Sequence, residues 1–185
     1  MTKLLIASQK GGVGKTTTAL NLAAATARAG RRVLLFDADP LGGVMASLNQ
    51  DDAETKDRSV EQYGRWILRR QLLDRVDLIS PHVQDPPTDS DWQTLFEQLD
   101  HSPFGTRYDH AIIDSPPSLG PRSRLLFKSC DEVVIVLRAE PMAYRTLPSF
   151  LQLLKDTHKQ GNALRLRGIL LTLPAGEVPG GVWES

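Results

Sequence analysis

Residues 10–17 read Lys-Gly-Gly-Val-Gly-Lys-Thr-Thr, directly after the short apolar run Leu4 to Ala7 and directly before an Ala-, Thr- and Leu-rich stretch that ends at Gly30. Small residues at Gly11, Gly12 and Gly14 let backbone N–H groups close around phosphate oxygens, and a helix starting near Lys15 points its positive end at the same charge. A glycine turn with an incidental lysine would not require strand, loop, Lys-Thr and helix in this order. A standard phosphate loop has Gly, four residues, then Gly-Lys-Thr; here the first Gly position falls at Ser8 or Gln9, so the loop is a variant. Gly11, Gly12, Val13, Gly14, Lys15, Thr16 and Thr17 are the candidate nucleotide-binding residues. Lys15 supplies a cation to the β and γ phosphates, and Thr16 a hydroxyl to Mg²⁺.

That order sets the expectation for the rest of the chain. Apolar, β-branched runs at Leu4 to Ala7, Val33 to Phe36, Val76 to Ile79, Ala111 to Ile113, Val133 to Leu137 and Gly168 to Leu173 alternate with helical segments. The pattern predicts an α/β fold with a parallel β-sheet flanked by helices. One helix is expected over Lys15 to Ala29. Another carries Leu147, Phe150, Leu151, Leu154 and His158 on one face, with Pro148 near its start. Ser59 to Leu73 also reads as helical, with Val60, Tyr63 and Ile67 opposite Glu61, Arg65 and Arg69, and Pro81 to Ser90 reads as a loop. The 185 residues fit a single domain, 1–185, that ends about a dozen residues after its sixth strand.

Two of the strands run into carboxylates. Ala111 to Ile113 leads to Asp114-Ser-Pro-Pro, and Val33 to Phe36 to Asp37-Ala-Asp39-Pro40. In a parallel sheet both ends lie on the edge that carries the phosphate loop. Asp114 has the placement of a Walker B acid that holds Mg²⁺ through water; for Asp37 a turn-forming role and a functional one weigh equally, and for Asp39 function is favoured.

Taken together, Lys10-Gly-Gly-Val-Gly-Lys-Thr-Thr, Asp37-Ala-Asp-Pro and Ile113-Asp-Ser-Pro-Pro-Ser-Leu-Gly resemble the ParA/MinD family of deviant Walker A ATPases, nearest its ParA-type partition members, over residues 1–173. The resemblance implies a P-loop NTPase that uses ATP and Mg²⁺ and forms a homodimer in the ATP state. It implies that Lys10 reaches the nucleotide of the opposite subunit, that Asp39 positions the attacking water, that Asp37 helps order the first switch, and that Thr16, Asp114 and Asp37 surround the metal. Lys10, Lys15 and Asp39 are then the catalytic set, and Val136 to Tyr144 lies beside the dimer interface. Slow hydrolysis stimulated by a partner of the ParB or adaptor type, nonspecific DNA as a further partner, and positioning or partition of a DNA or protein cargo follow from the same resemblance. A nucleotide-binding regulatory or adaptor module with little ATPase activity is the alternative.

Two departures stand out. Leu41-Gly42-Gly43 replaces the family's Gln-Gly-Asn, and relatives continue through further helices beyond the sixth strand. Lys155, Lys159, Arg165 and Arg167 are candidates for a basic patch, with solvated surface the favoured reading.

Charge and cysteine content narrow the remaining options. With 22 Lys+Arg against 22 Asp+Glu, no global field draws the chain to a polyanion. The single cysteine, Cys130, excludes an internal disulfide and the two-cysteine cluster site of the related iron–sulfur carriers, and reads as a packed side chain. No run approaches the roughly 20 apolar residues that span a bilayer. A cytoplasmic setting, with nucleoid association for a DNA-bound state and no direct membrane binding, is expected. No pair among His82, His101, His110 and His158 has metal-ligand spacing on one element.

Overall fold

In the computed structural model, the described residues are 1–39, 42–48, 59–118, 120–140, 143–161 and 163–173. Pro40, Leu41 and the C-terminal tract 174–185 lie outside them. The strands are β1 (Thr2–Ala7), β2 (Val33–Asp37), β3 (Val60–Tyr63), β4 (Trp66–Leu73), β5 (Val76–Pro81), β6 (His110–Asp114), β7 (Glu132–Arg138) and β8 (Arg165–Thr172). The helices are α1 (Lys15–Arg28), α2 (Gly43–Ser47), α3 (Asp89–His101), α4 (Pro121–Ser129) and α5 (Ala143–Lys159). The eight strands of the described residues form one sheet in the order β3-β4-β5-β2-β6-β1-β7-β8.

From β5 to β8 every pairing is parallel, as the alternation of strands and helices requires. β2 is buried along its whole length because both faces of the sheet are covered. On one face α1 presents Ala19, Ala23 and Ala27 at intervals of four, so its backbone approaches Ile6, Val33, Leu35, Leu78 and Ile112 closely. The other face packs larger side chains. Trp92 of α3 stacks on Phe36 with centroids 5.1 Å apart and meets Trp66 edge-on at 4.6 Å, and Phe127 of α4 stacks on Phe150 of α5. α3 starts at a reciprocal cap in which the Thr88 hydroxyl accepts from the Asp91 N–H and the Asp91 carboxylate from the Thr88 N–H.

One predicted element is wrong. Residues 59–73 form not a helix but β3 and β4, which with β5 make an antiparallel meander on the edge of the otherwise parallel sheet. Its two links are two-residue loops: Gly64-Arg65, with Gly64 at φ 59°, and Asp74-Arg75, with Arg75 at φ 59°. Trp66 and Leu68 alternate into the core, which a helix could not arrange.

Smaller differences concern helix bounds. α1 ends at Arg28, with Gly30 at φ 83° donating to the Ala27 carbonyl as an expected stop. α5 begins at Ala143, which puts Pro148 inside the helix rather than at its start, at the cost of one backbone bond. The loop expected over Pro81 to Ser90 is bounded by β5, through Pro81, and α3, from Asp89.

Candidate functional site

β1, β2 and β6 are neighbours, and their C-terminal ends bring the loop, Asp37 and Asp114 together. Asp37 and Asp114 are direct register partners, and the Ala38 N–H donates to the Asp114 carbonyl at 2.9 Å. The loop after β1 turns through Gly12 at φ 70° and Gly14 at φ 94°, conformations that disfavour any side chain. A Cβ on Gly11 or Gly12 would meet nothing within 4 Å, so the loop opens onto free space. Gly14 caps α1 without a side-chain hydrogen bond, which leaves the first N–H groups of the helix for a ligand. From the other side Thr172 of β8 braces the loop by donating to the Val13 carbonyl at 2.9 Å.

Lys15 is buried, its ammonium donating to the Lys10 carbonyl at 3.3 Å. Burial lowers its pKa, while the charges of Asp114 and then Asp39 pull it back up. Thr16 donates its hydroxyl to Asp114 Oδ2 at 2.6 Å, and Asp114 Oδ1 is buried with no protein partner. Burial dominates in pushing the Asp114 carboxyl up to about 6, with Thr16 and Lys15 opposing and Asp39 adding to the rise. Asp37 is also pushed up to about 6, again chiefly by burial; the Val44 and Asp39 N–H groups, donating to it at 3.0 and 3.1 Å, restrain the shift.

Two buried, destabilised carboxylates beside a hydroxyl, one with an orphaned oxygen, fit a cation bound together with an anion. Among the described residues no group of three His, Cys, Asp or Glu could hold a metal, so a Mg²⁺ here would take the rest of its ligands from water and from the phosphates of a bound nucleotide. Asp37 is committed to backbone N–H groups, and in this geometry it shapes the turn after β2 rather than offering a free oxygen.

Of the predicted residues, Lys15, Thr16, Asp37, Asp39 and Asp114 converge. Thr17 is exposed on α1 and Lys10 sits on the rim, paired with Glu140, which also binds Arg138 at 2.9 Å. Sequence reasoning missed Thr172, noted Gly43 only as a departure from the family pattern, and gave Glu140 no role beyond its place in Val136 to Tyr144. A Cβ on Gly43 would stand 3.3 Å from Thr16 Oγ1 and 4.0 Å from Asp114 Oδ2, so glycine leaves room beside that pair. The candidate basic patch is partly neutralised, because Arg165 and Arg167 both pair with Glu132. Cys130 is buried and its thiol is pushed well above the ordinary range by burial. Among the described residues no helix is long and apolar enough to cross a membrane.

A family model described as an AAA domain matches residues 1–166. The chromosome partitioning protein ParA of Myxococcus xanthus is 36% identical over 184 residues, which cover 92% of this chain and 64% of that protein. The chromosome-partitioning ATPase Soj of Thermus thermophilus is 35% identical over 182 residues, 94% of this chain and 70% of that one. The chain thus spans about two thirds of the length of these relatives. Among solved structures, a cobyrinic acid a,c-diamide synthase from Mycobacterium smegmatis with a bound ATP analog and magnesium superposes with a TM-score of 0.74 at 28% identity, covering 96% of this chain and 77% of that one.

Proposed function

We propose, from the premise that the chain belongs to the ParA/Soj family of partition ATPases, that it is an ATP-dependent dimerisation switch that hydrolyses ATP slowly and positions a cargo. The observation that carries this reading is the Thr16–Asp114 pair, closed at 2.6 Å beneath the uncapped start of α1 with Asp114 Oδ1 unpartnered. Such a pair would hold a Mg²⁺ beside a bound nucleotide, where the ion would offset phosphate charge, and the M. smegmatis protein of similar fold holds an ATP analog and magnesium.

In this proposal Lys15 and the N–H groups of residues 11–17 bind the phosphates, Thr16 and Asp114 hold the metal directly or through water, and Asp39 orients the attacking water. Lys10, half-exposed on the rim, reaches the nucleotide of a second copy once it leaves Glu140. Asp39 lies on the turn after β2, so a partner that orders this turn would speed hydrolysis. Nonspecific DNA and a ParB- or adaptor-type partner remain part of the proposal.

The test is the molar mass of Asp39→Ala by light scattering, with ADP or with ATP and Mg²⁺, with and without random DNA at low salt. A monomer with ADP, a dimer with ATP and DNA co-elution only in the ATP state support the switch. Lys10→Ala should bind ATP and stay monomeric. An ATP-bound dimer that ignores DNA points to an adaptor, and a monomer in every condition rejects the dimerisation switch.

A further inference from the structure

The antiparallel meander helps to form a cavity of 540 Å³ that the phosphate loop does not line. One wall is Asp39, Gly42 and Met45, from the turn after β2 and from α2; the other is Ile67 and Arg69 of β4, Ser80 and Pro81 of β5, and His82 to Gln84. The volume is in the range of small-molecule sites.

The origin of the cavity is visible in the register. Arg69 is opposite Leu78 and Ile67 opposite Ser80, so these four share the face of the sheet that α1 covers farther in. α2 is only five residues long. Among the described residues no helix covers the outer part of this face beyond Met45.

Arg69 is the feature that calls for a ligand. Its guanidinium is half-buried and donates to Ser80 Oγ at 3.0 Å, and among the described residues no carboxylate lies within ion-pair distance of it. Arg65, Arg70 and Arg75 on the same meander all have carboxylate partners. Burial lowers the Arg69 pKa, and no carboxylate among the described residues offsets that shift. A guanidinium presents five N–H donors, and one hydroxyl satisfies one of them. His82 adds a donor: its Nδ1 accepts the Asp85 N–H at 3.2 Å, which places the ring proton on Nε2. The rest of the lining is apolar at Met45, Ile67, Pro81 and Val83, the last 85% exposed at the mouth, and polar at Gln84 and, on the wall opposite Arg69, at Asp39.

We propose that this cavity is a binding site for a small organic anion, its carboxylate or phosphate head on Arg69, with Ser80 and His82 beside it, and its apolar body against Met45, Ile67 and Val83. Because Asp39, Gly42 and Met45 form the opposite wall, occupancy is sensed by the turn that follows β2. The site stands on its own geometry and does not depend on the nucleotide chemistry proposed above.

Calorimetric titration of the full chain, with saturating ADP to keep the phosphate loop occupied, tests it with phenyl phosphate, benzoate, benzyl alcohol and inorganic phosphate as probes. One of the two aromatic anions should bind at least about tenfold more tightly than the neutral alcohol, as expected for a charge-assisted contact. The tighter of the two identifies the head group. Arg69→Gln should weaken that binding by about tenfold. Val83→Glu, at an exposed position where folding is not at stake, should weaken it through repulsion at the mouth. Equal affinity for benzyl alcohol, unchanged affinity in both variants, or binding seen only without ADP would overturn the site. Inorganic phosphate binding as tightly as phenyl phosphate would overturn its assignment to an organic anion.

Discussion

Replacing Asp114 with Asn should make the ligand-free protein less sensitive to pH. Burial pushes the Asp114 carboxyl up to about 6 in the folded chain, from the ordinary 3.8 of an exposed aspartate. A group raised in this way binds its proton more tightly when folded. Its favourable contribution is therefore fully present below pH 3.8 and lost as pH rises through 6. At pH 7.5 the ionised carboxylate costs the fold about 3 kcal/mol relative to the protonated one, and at pH 5 about 1.5 kcal/mol.

Asn cannot ionise, so the variant lacks this slope. It leaves an amide where Asp114 Oδ1 has no partner, a penalty that does not depend on pH and shifts the whole curve. The difference in unfolding free energy, variant minus wild type, should then grow by about 1.5 kcal/mol from pH 5 to pH 7.5. Asp37 adds in the same direction, since losing the Asp114 charge also relieves part of its own upward shift. Urea unfolding at the two pH values, with chelator and without nucleotide, reads the difference directly. A gap that stays constant, or that widens towards acid, would refute the claim that burial without a cation destabilises this carboxylate. Adding Mg²⁺ and ADP should stabilise wild type more than Asp114→Asn at pH 7.5.

Lys15→Ala should abolish ATP binding in calorimetry, and affinity retained within about twofold would remove Lys15 from the phosphate site. Gly43→Val should crowd Thr16 Oγ1, 3.3 Å from the new Cβ, and weaken Mg-ATP binding by about tenfold with little change in thermal midpoint. Gly105→Ala should instead act on stability: its Cβ would stand 1.9 Å from the Leu99 carbonyl oxygen, a backbone atom, and the resulting shift should cost about 3 kcal/mol in urea unfolding with ATP affinity intact.

The parts of the candidate site that were legible in the sequence share one property: their signal is residue type at a fixed spacing. Glycines at 11, 12 and 14 before Lys15-Thr16, and Asp37 and Asp114 at the ends of apolar runs, need only the parallel order of β1, β2 and β6 to converge. The roles that escaped notice depend on long-range contacts. Thr172 reaches Val13 across 159 positions and Glu140 reaches Lys10 across 130, and neither neighbourhood is encoded by local pattern.

The one misassigned element has a more specific cause. In residues 59–73, Val60, Tyr63 and Ile67 fall at helical intervals, yet the same stretch alternates Trp66 and Leu68 about a two-residue turn at Gly64. Short segments satisfy both periods, and tertiary burial decides between them. Here Trp66 gains contacts with Phe36 and Trp92 that a surface helix could not supply. The same choice of structure turns Arg69 from one arginine on a solvated helix face into a half-buried cation facing a cavity. The organic-anion site was therefore hidden for the same reason that the strand was: both exist only once β4 has paired with β5.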